Sequence, residues 1–327
     1  MCVVDIVFKQ IMSEIEEELL ILEDDLIRAV STKRKLIEEP LMNMISSGGK
    51  RLRPAMVLAA ARFGEYDFEK VRPLALSVEL IHTAAIIHDD IVDDSPIRRG
   101  VLSIQSQLGK DVAVYAGDYI FCKVFEILVS SAYSNILEQV SKVMSQICEG
   151  ELKQREDLFN TDLTLKDYLY RIQKKTAILF ALSAQMGAAA SKAPDKIIKA
   201  LYNYGINIGM AFQIIDDLLD FTGDYKKLGK PTGSDIREGI ITLPAIYALK
   251  HSDDKEYLRK IFKNKNTNED EISIAVEIIK KSGGLKYAEY MAERYVQKAK
   301  RSIAILPDTP MKKLLEDAPE VIARKYK

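Results

Sequence analysis

Residues 69–93 read EKVRPLALSVELIHTAAIIHDDIVD. Apolar side chains recur here at helical spacing and nearly all round, which is too hydrophobic for a surface helix. The stretch ends in Asp89, Asp90 and Asp93, followed by Asp94 and a Ser95-Pro96 stop. A second long apolar stretch, 194–221, ends in FQIIDDLLD (212–220). Two such helices predict the centre of an all-α bundle.

The rest of the chain agrees. In IMSEIEEELLILEDDLIRAV, Ile11, Ile15, Leu19, Leu22 and Leu26 mark one helix face. Helical spacing continues over 34–46, 52–64, 111–130, 133–158, 164–190, 239–249, 253–263, 268–282, 285–304 and 309–324. All ten prolines are expected at or near helix ends, and none falls between Pro96 and Pro194, where the longest helices are expected. No alternating strand pattern bounded by Asn-Gly or Gly-Gly appears, and no linker divides the chain. The expectation is one all-α domain over 1–327.

Bulk numbers narrow the function. Lys+Arg (47) and Asp+Glu (48) nearly cancel, which argues against nucleic acid as the main partner. Cys2, Cys122 and Cys148 form neither a disulfide framework nor a metal motif, and Cys122 and Cys148 read as buried core residues. Acidic residues follow too early for a signal peptide, and no run of apolar residues is long enough to span a membrane. The expected location is the cytoplasm.

The aspartates carry the chemistry. At about 100° per residue, Asp89 and Asp93 lie about 40° apart, with Asp90 completing an arc of about 100°. They sit at the negative pole of the helix dipole, so the placement is poor unless a cation is bound. Hard ions, Mg2+ above all, suit such oxygens. A solvated acidic helix end is the plain alternative for one cluster. Asp216, Asp217 and Asp220 repeat the spacing, and two copies suggest facing walls of one metal site. Counter-charges for an anionic ligand are at hand: Lys50, Arg51 and Arg53 in SSGGKRLRP (46–54), Arg98-Arg99, Lys174-Lys175 and Lys230. Together they point to magnesium–diphosphate chemistry.

These motifs resemble those of trans-type polyprenyl diphosphate synthases. The likeness runs through GGKRLRP (48–54), DDIVD (89–93), RRG (98–100), AGD (116–118), GELKQ (150–154), KTA (175–177), FQIIDDLLD and GKPTGSD (229–235). It implies a helical bundle around a deep central cavity, as a homodimer or within a heteromer. It further implies three Mg2+ ions held by Asp89, Asp90, Asp93, Asp216, Asp217 and Asp220. Arg98, Lys175 and Lys230 would complete an allylic diphosphate site. Lys50, Arg53, His82 and Arg99 would receive isopentenyl diphosphate. Thr176 and Gln213 would direct oxygen dipoles at the allylic cation. Glu151 and Gln154 are further groups near the metals, and His88 reads as a packing residue.

Two departures stand out: Gly239-Ile240-Ile241 replaces a stretch where many relatives carry a lysine, and Leu102 replaces a common proline. Ala84 and Ala85, one turn before Asp89, leave the cavity open past that turn, about 6 Å deeper. That favours a medium or long product, and the family resemblance implies a trans polyprenyl diphosphate of six to eight isoprene units (C30–C40), with a floor among Val78, Ile81, Phe121 and Phe125. Farnesyl or geranylgeranyl products, or the catalytic half of a heteromer, are the alternatives. A class I terpene cyclase fits less well, because the second site reads DDLLD and Lys50, Arg53 and Arg99 are present. A non-catalytic partner subunit would more often have lost aspartates. Peripheral membrane contact is expected only for product release.

Overall fold

The computed structural model describes residues 15–131, 133–222 and 232–324. The described helices are α1 (Glu16–Val30), α2 (Lys35–Ser46), α3 (Leu52–Ala61), α4 (Phe68–Val92), α5 (Ile104–Leu108), α6 (Lys110–Ser130), α7 (Ser134–Glu156) and α8 (Leu165–Ile172). A π-helical segment, Gln173–Ala177, leads into α9 (Ile178–Ala190). Then come α10 (Asp195–Thr222), α11 (Ser234–Glu238), α12 (Leu243–His251), α13 (Lys255–Lys263), α14 (Glu269–Lys281), α15 (Gly284–Ser302) and α16 (Pro310–Arg324). None of them is long and apolar enough to cross a membrane.

Local chemistry sets several boundaries. Thr164 and Asp167 form a reciprocal capping box that starts α8, and Asn268 with Glu271 does the same for α14. Three prolines correct the expectation that all lie at helix ends: Pro40, Pro73 and Pro319 sit inside α2, α4 and α16. Pro40 and Pro73 lie in the second turn, so each forfeits a bond only to a first-turn carbonyl. The buried ring of Pro40 offsets that loss by packing.

Both long helices are central, as their composition requires. α4 packs on α3 and α6, while α10 lies between α9 and α15. One apolar cluster gathers α1–α4, α6, α7, α9 and the first half of α10. Another gathers α8, the second half of α10 and α12–α15. The aspartate-rich end of α10 thus belongs to the helix that joins the two clusters.

Between α4 and α5 the chain makes a hairpin absent from the sequence reading. β1 (Ile97–Arg98) pairs antiparallel with β2 (Val101–Leu102), Arg98 facing Val101. Arg99 and Gly100 form its two-residue turn with φ of 52° and 82°, the doubly positive geometry that matches strand twist. The turn presents Arg98 and Arg99 beside the end of α4.

Cys122 and Cys148 are exposed, correcting the expectation that they are buried. Cys122 lies on α6, whose outer surface also exposes Val114, Tyr115, Phe125 and Val129; Cys148 lies on α7, which exposes Leu152.

Candidate active site

Asp89 and Asp93 line a cavity of about 430 Å3 from the C-terminal end of α4. Burial pushes the Asp89 carboxyl up to about 7; Lys175 opposes the shift, while Glu151 and Asp93 add to it. Asp90 is turned away from the cavity. It is 2% exposed and accepts from the Arg98 guanidinium, whose Nε lies 2.8 Å from Oδ1. Arg98 itself lines the cavity.

The opposite wall is α10, which brings Asp216, Asp217 and Asp220 to the same space. Asp217 accepts from Tyr168 Oη at 2.6 Å and from Gln213 Nε2 at 2.8 Å. Burial raises its carboxyl to about 6, against the lowering effect of those two bonds. Asp220 accepts from the Ser234 backbone (3.0 Å) and hydroxyl (2.6 Å) and from the Asp235 backbone at 3.2 Å. Asp235 and Glu238 also line the cavity, and burial, then Asp220, drives the Asp235 carboxyl well above its ordinary value. The GSD motif contained Asp235, yet the sequence reading gave it no role. Lys230 lies outside the described residues.

The π-helical segment closes the third side. A π turn inside a helix is uncommon and often falls at a site. Lys175 reaches Glu151 of α7 at 2.8 Å, and Thr176 donates to Gln213 Oε1 at 2.6 Å. Burial works against the Lys175 ammonium, yet Glu151 and Asp89 outweigh it and raise its pKa. Gly150 of the GELKQ motif permits this approach, because a Cβ there would lie 2.7 Å from the Lys175 backbone nitrogen. Gln154 lines the cavity from the same helix.

Among the described lining residues, eight carboxylates face four Lys and Arg side chains. That surplus of negative charge fits divalent cations. No three carboxylates among the described residues stand as a ready-made cage. Mg2+ suits such an arrangement, since it is usually held by one or two carboxylates, water and substrate phosphate rather than by protein alone.

A second, basic pocket of about 410 Å3 adjoins the first and shares Arg53, His82 and Phe212 with it. Lys50 and Arg99 line it as well. Arg53 lies 4.6 Å over the Phe180 ring, and its buried Nε has no hydrogen-bond partner. Burial lowers the guanidinium pKa to about 10. His82 is held well below its usual value by burial, then by Arg53, so it is neutral and still able to donate one hydrogen bond. Arg99 donates to the Gly48 carbonyl. Arg51 is already bound by Glu23, Glu79 and the Ile45 carbonyl, tying α1, α2 and α4 together. Of the three cations in the glycine-rich segment, Lys50 and Arg53 remain for an anion.

Part of the lining is apolar, including Ala85, Ile86, Ile147, Leu179 and Phe212. Ala84 is fully buried and lies outside the lining, so only one of the two alanines expected to set depth touches the cavity. Val78 and Ile81 are buried in the core, and Phe125 is exposed at 40%. His88 packs against Phe121 and lies 3.5 Å from Asp118, over Gly117 of the AGD motif, in the packing role expected of it.

Comparison with known proteins fits this geometry. Residues 34–279 match the Polyprenyl synthetase family. Heptaprenyl diphosphate synthase component 2 of Geobacillus stearothermophilus is 38% identical over 309 residues, covering 94% of this chain and 96% of that protein. A Caulobacter crescentus polyprenyl synthase complexed with calcium and isoprenyl diphosphate superposes with a TM-score of 0.93 at 33% identity, covering 98% of both chains. Heptaprenyl diphosphate synthase from Staphylococcus aureus gives 0.90 at 34%, covering 96% of this chain and 99% of that one.

Proposed function

The chain belongs to the polyprenyl synthetase family and is a prenyltransferase, and we propose that it condenses isopentenyl diphosphate head-to-tail with an allylic diphosphate. The product proposed is a trans polyprenyl diphosphate of six to eight isoprene units, made by one domain spanning the chain. The observation that carries this reading is a carboxylate-walled cavity abutting a basic pocket, with Arg53 and His82 common to both.

Mg2+ held by Asp89, Asp93, Asp216 and Asp220 would neutralise the departing diphosphate. Lys175 and Arg98 add fixed positive charge at the mouth. Thr176 directs its hydroxyl oxygen at the allylic carbon as positive charge develops. Lys50, Arg53, Arg99 and neutral His82 hold isopentenyl diphosphate so that its double bond faces that carbon. The apolar walls exclude water, which would otherwise quench the cation. The new chain grows along Ala85 and Ile86.

A homodimer is supported by the apolar side chains exposed along α6 and α7. Likeness to a protein named as component 2 favours a second reading, the catalytic half of a heteromer. A cytoplasmic location is consistent with the lack of a spanning helix among the described residues. The test is to incubate the purified chain alone with farnesyl diphosphate, labelled isopentenyl diphosphate and Mg2+, then size the product. Chelator-sensitive elongation is expected. No incorporation by the chain alone, restored by a partner subunit, would select the heteromer; none under any condition would refute prenyl transfer.

A further inference from the structure

One hydrogen-bond chain begins in the cavity and ends at a residue that does not line it. Thr176, which lines the cavity, donates its hydroxyl to Gln213 Oε1 at 2.6 Å. Gln213 Nε2 donates to Asp217 Oδ1 at 2.8 Å, and Tyr168 donates to Asp217 Oδ2 at 2.6 Å. Tyr168 is 1% exposed on α8 and is not among the cavity-lining residues.

The direction of each bond follows from what each group can do. An ionised carboxylate only accepts, so any group that hydrogen-bonds to Asp217 must do so as a donor. Tyr168 donates to one oxygen, and Gln213 must therefore turn its NH2 group toward the other. That fixes the Gln213 carbonyl toward Thr176. Thr176 has a single proton, and giving it to Gln213 leaves only oxygen lone pairs for the cavity. Were the amide reversed, its NH2 would donate to Thr176 and release the hydroxyl proton toward substrate. The polarity presented by Thr176 would then have the opposite sign.

We propose that Tyr168 and Asp217 are positioning residues that fix the polarity of the Gln213–Thr176 pair, so that Thr176 presents lone pairs to the positive charge developing on the allylic carbon. This deepens the prenyl-transfer reading and rests on it. It separates Asp217 from Asp216: the first orients a dipole, the second serves the metal-binding wall.

The test compares wild type with Tyr168→Phe, which removes one hydroxyl and keeps the ring. Turnover should fall by about tenfold or more, the loss expected when a preorganised dipole is disturbed. KM for both diphosphates and the Mg2+ concentration for half-maximal activity should stay within about twofold, because neither substrate phosphate nor metal is touched. The decisive readout is calorimetric. With Mg2+ present, an ammonium analogue of the allylic diphosphate should lose about tenfold in affinity relative to its neutral isostere, since only the cation senses a dipole no longer held in one orientation. Asp217→Asn should move the same ratio, and the double variant should be no worse than the more damaging single one, as members of one chain are not additive. Should Tyr168→Phe fail to fold, Asp217→Asn carries the same measurement. An unmoved affinity ratio in the folded variants overturns the proposal. So does a tenfold rise in Mg2+ requirement confined to Asp217→Asn, which would make Asp217 a metal ligand. A wild-type enzyme that makes no product fails the prenyl-transfer reading itself, whereas an active wild type with an unmoved ratio fails only the positioning role.

Discussion

Replacing Gly150 by alanine sets two effects of known size against each other. Inside a helix such as α7, glycine to alanine ordinarily stabilises by about 1 kcal/mol. Here the new Cβ would lie 2.7 Å from the Lys175 backbone nitrogen and 3.1 Å from the Lys174 carbonyl carbon, where ordinary contact begins at 3.4 Å. Both are main-chain atoms, so no side chain can swing aside. The π-helical segment must retreat by about 0.7 Å. Overpacking of this kind costs roughly 1–3 kcal/mol, so packing wins and the net loss should be about 1 kcal/mol. The effect on rate should be larger, because Lys175 and Thr176 ride on the displaced backbone. A misplacement near 1 Å costs about a hundredfold, so turnover should drop roughly ten- to a hundredfold. Urea denaturation and steady-state kinetics on the same preparation read both quantities. A variant as stable as wild type or more so, with full turnover, would refute the view that Gly150 sets the position of this segment.

Other outcomes follow from the same geometry. Arg53→Met should raise KM for isopentenyl diphosphate at least tenfold while stabilising the fold by about 1–3 kcal/mol, because it removes a buried cation whose Nε has no partner; a lowered melting temperature would contradict this. Ala85→Phe should shorten the product while turnover persists, and an unchanged product distribution in chromatographic sizing would count against Ala85 as a depth determinant. Asp89 is raised by burial to about 7, so without metal the folded state binds more protons than the unfolded chain between roughly pH 4 and 7. Stability should therefore fall as pH rises through that window and level off above it. Added Mg2+ should restore it, and the Mg2+-induced rise in melting temperature should grow from pH 5 to 7.5. A rise independent of pH would show that the metal does not act at Asp89.

Much of the fold was legible because burial leaves a periodic mark. The expected helices 69–93 and 194–221 correspond to Phe68–Val92 and Asp195–Thr222. What escaped has causes that no periodicity records. The hairpin at Ile97–Leu102 has strands of two residues, too short to alternate. The π turn at Gln173–Ala177 falls within an expected continuous helix over 164–190, and its position depends on a glycine in another helix. Arg51 looked like a phosphate ligand because charge is visible in sequence, whereas its partners Glu23 and Glu79 lie 28 residues away on either side.

The aspartate clusters show how far spacing alone can be taken. Residues i and i+4 share a helix face, while i+1 points about 100° away. In both clusters the i+1 aspartate is the more buried neighbour of the pair, 2% exposed for Asp90 and 7% for Asp217. Each is held by protein: Asp90 by Arg98, Asp217 by Tyr168 and Gln213. The outer aspartates of both triplets, Asp89 with Asp93 and Asp216 with Asp220, line the cavity. Six carboxylates of equal standing in sequence thus differ in surroundings: Asp90 is turned from the cavity onto Arg98, while Asp217 reaches the cavity already held by Tyr168 and Gln213. The greater burial of the i+1 aspartate recurs in two helices with different partners, so it follows from helix geometry rather than from one accident of packing. Neutralising an outer aspartate should then change the metal requirement, whereas neutralising Asp90 should release Arg98 and leave that requirement largely intact.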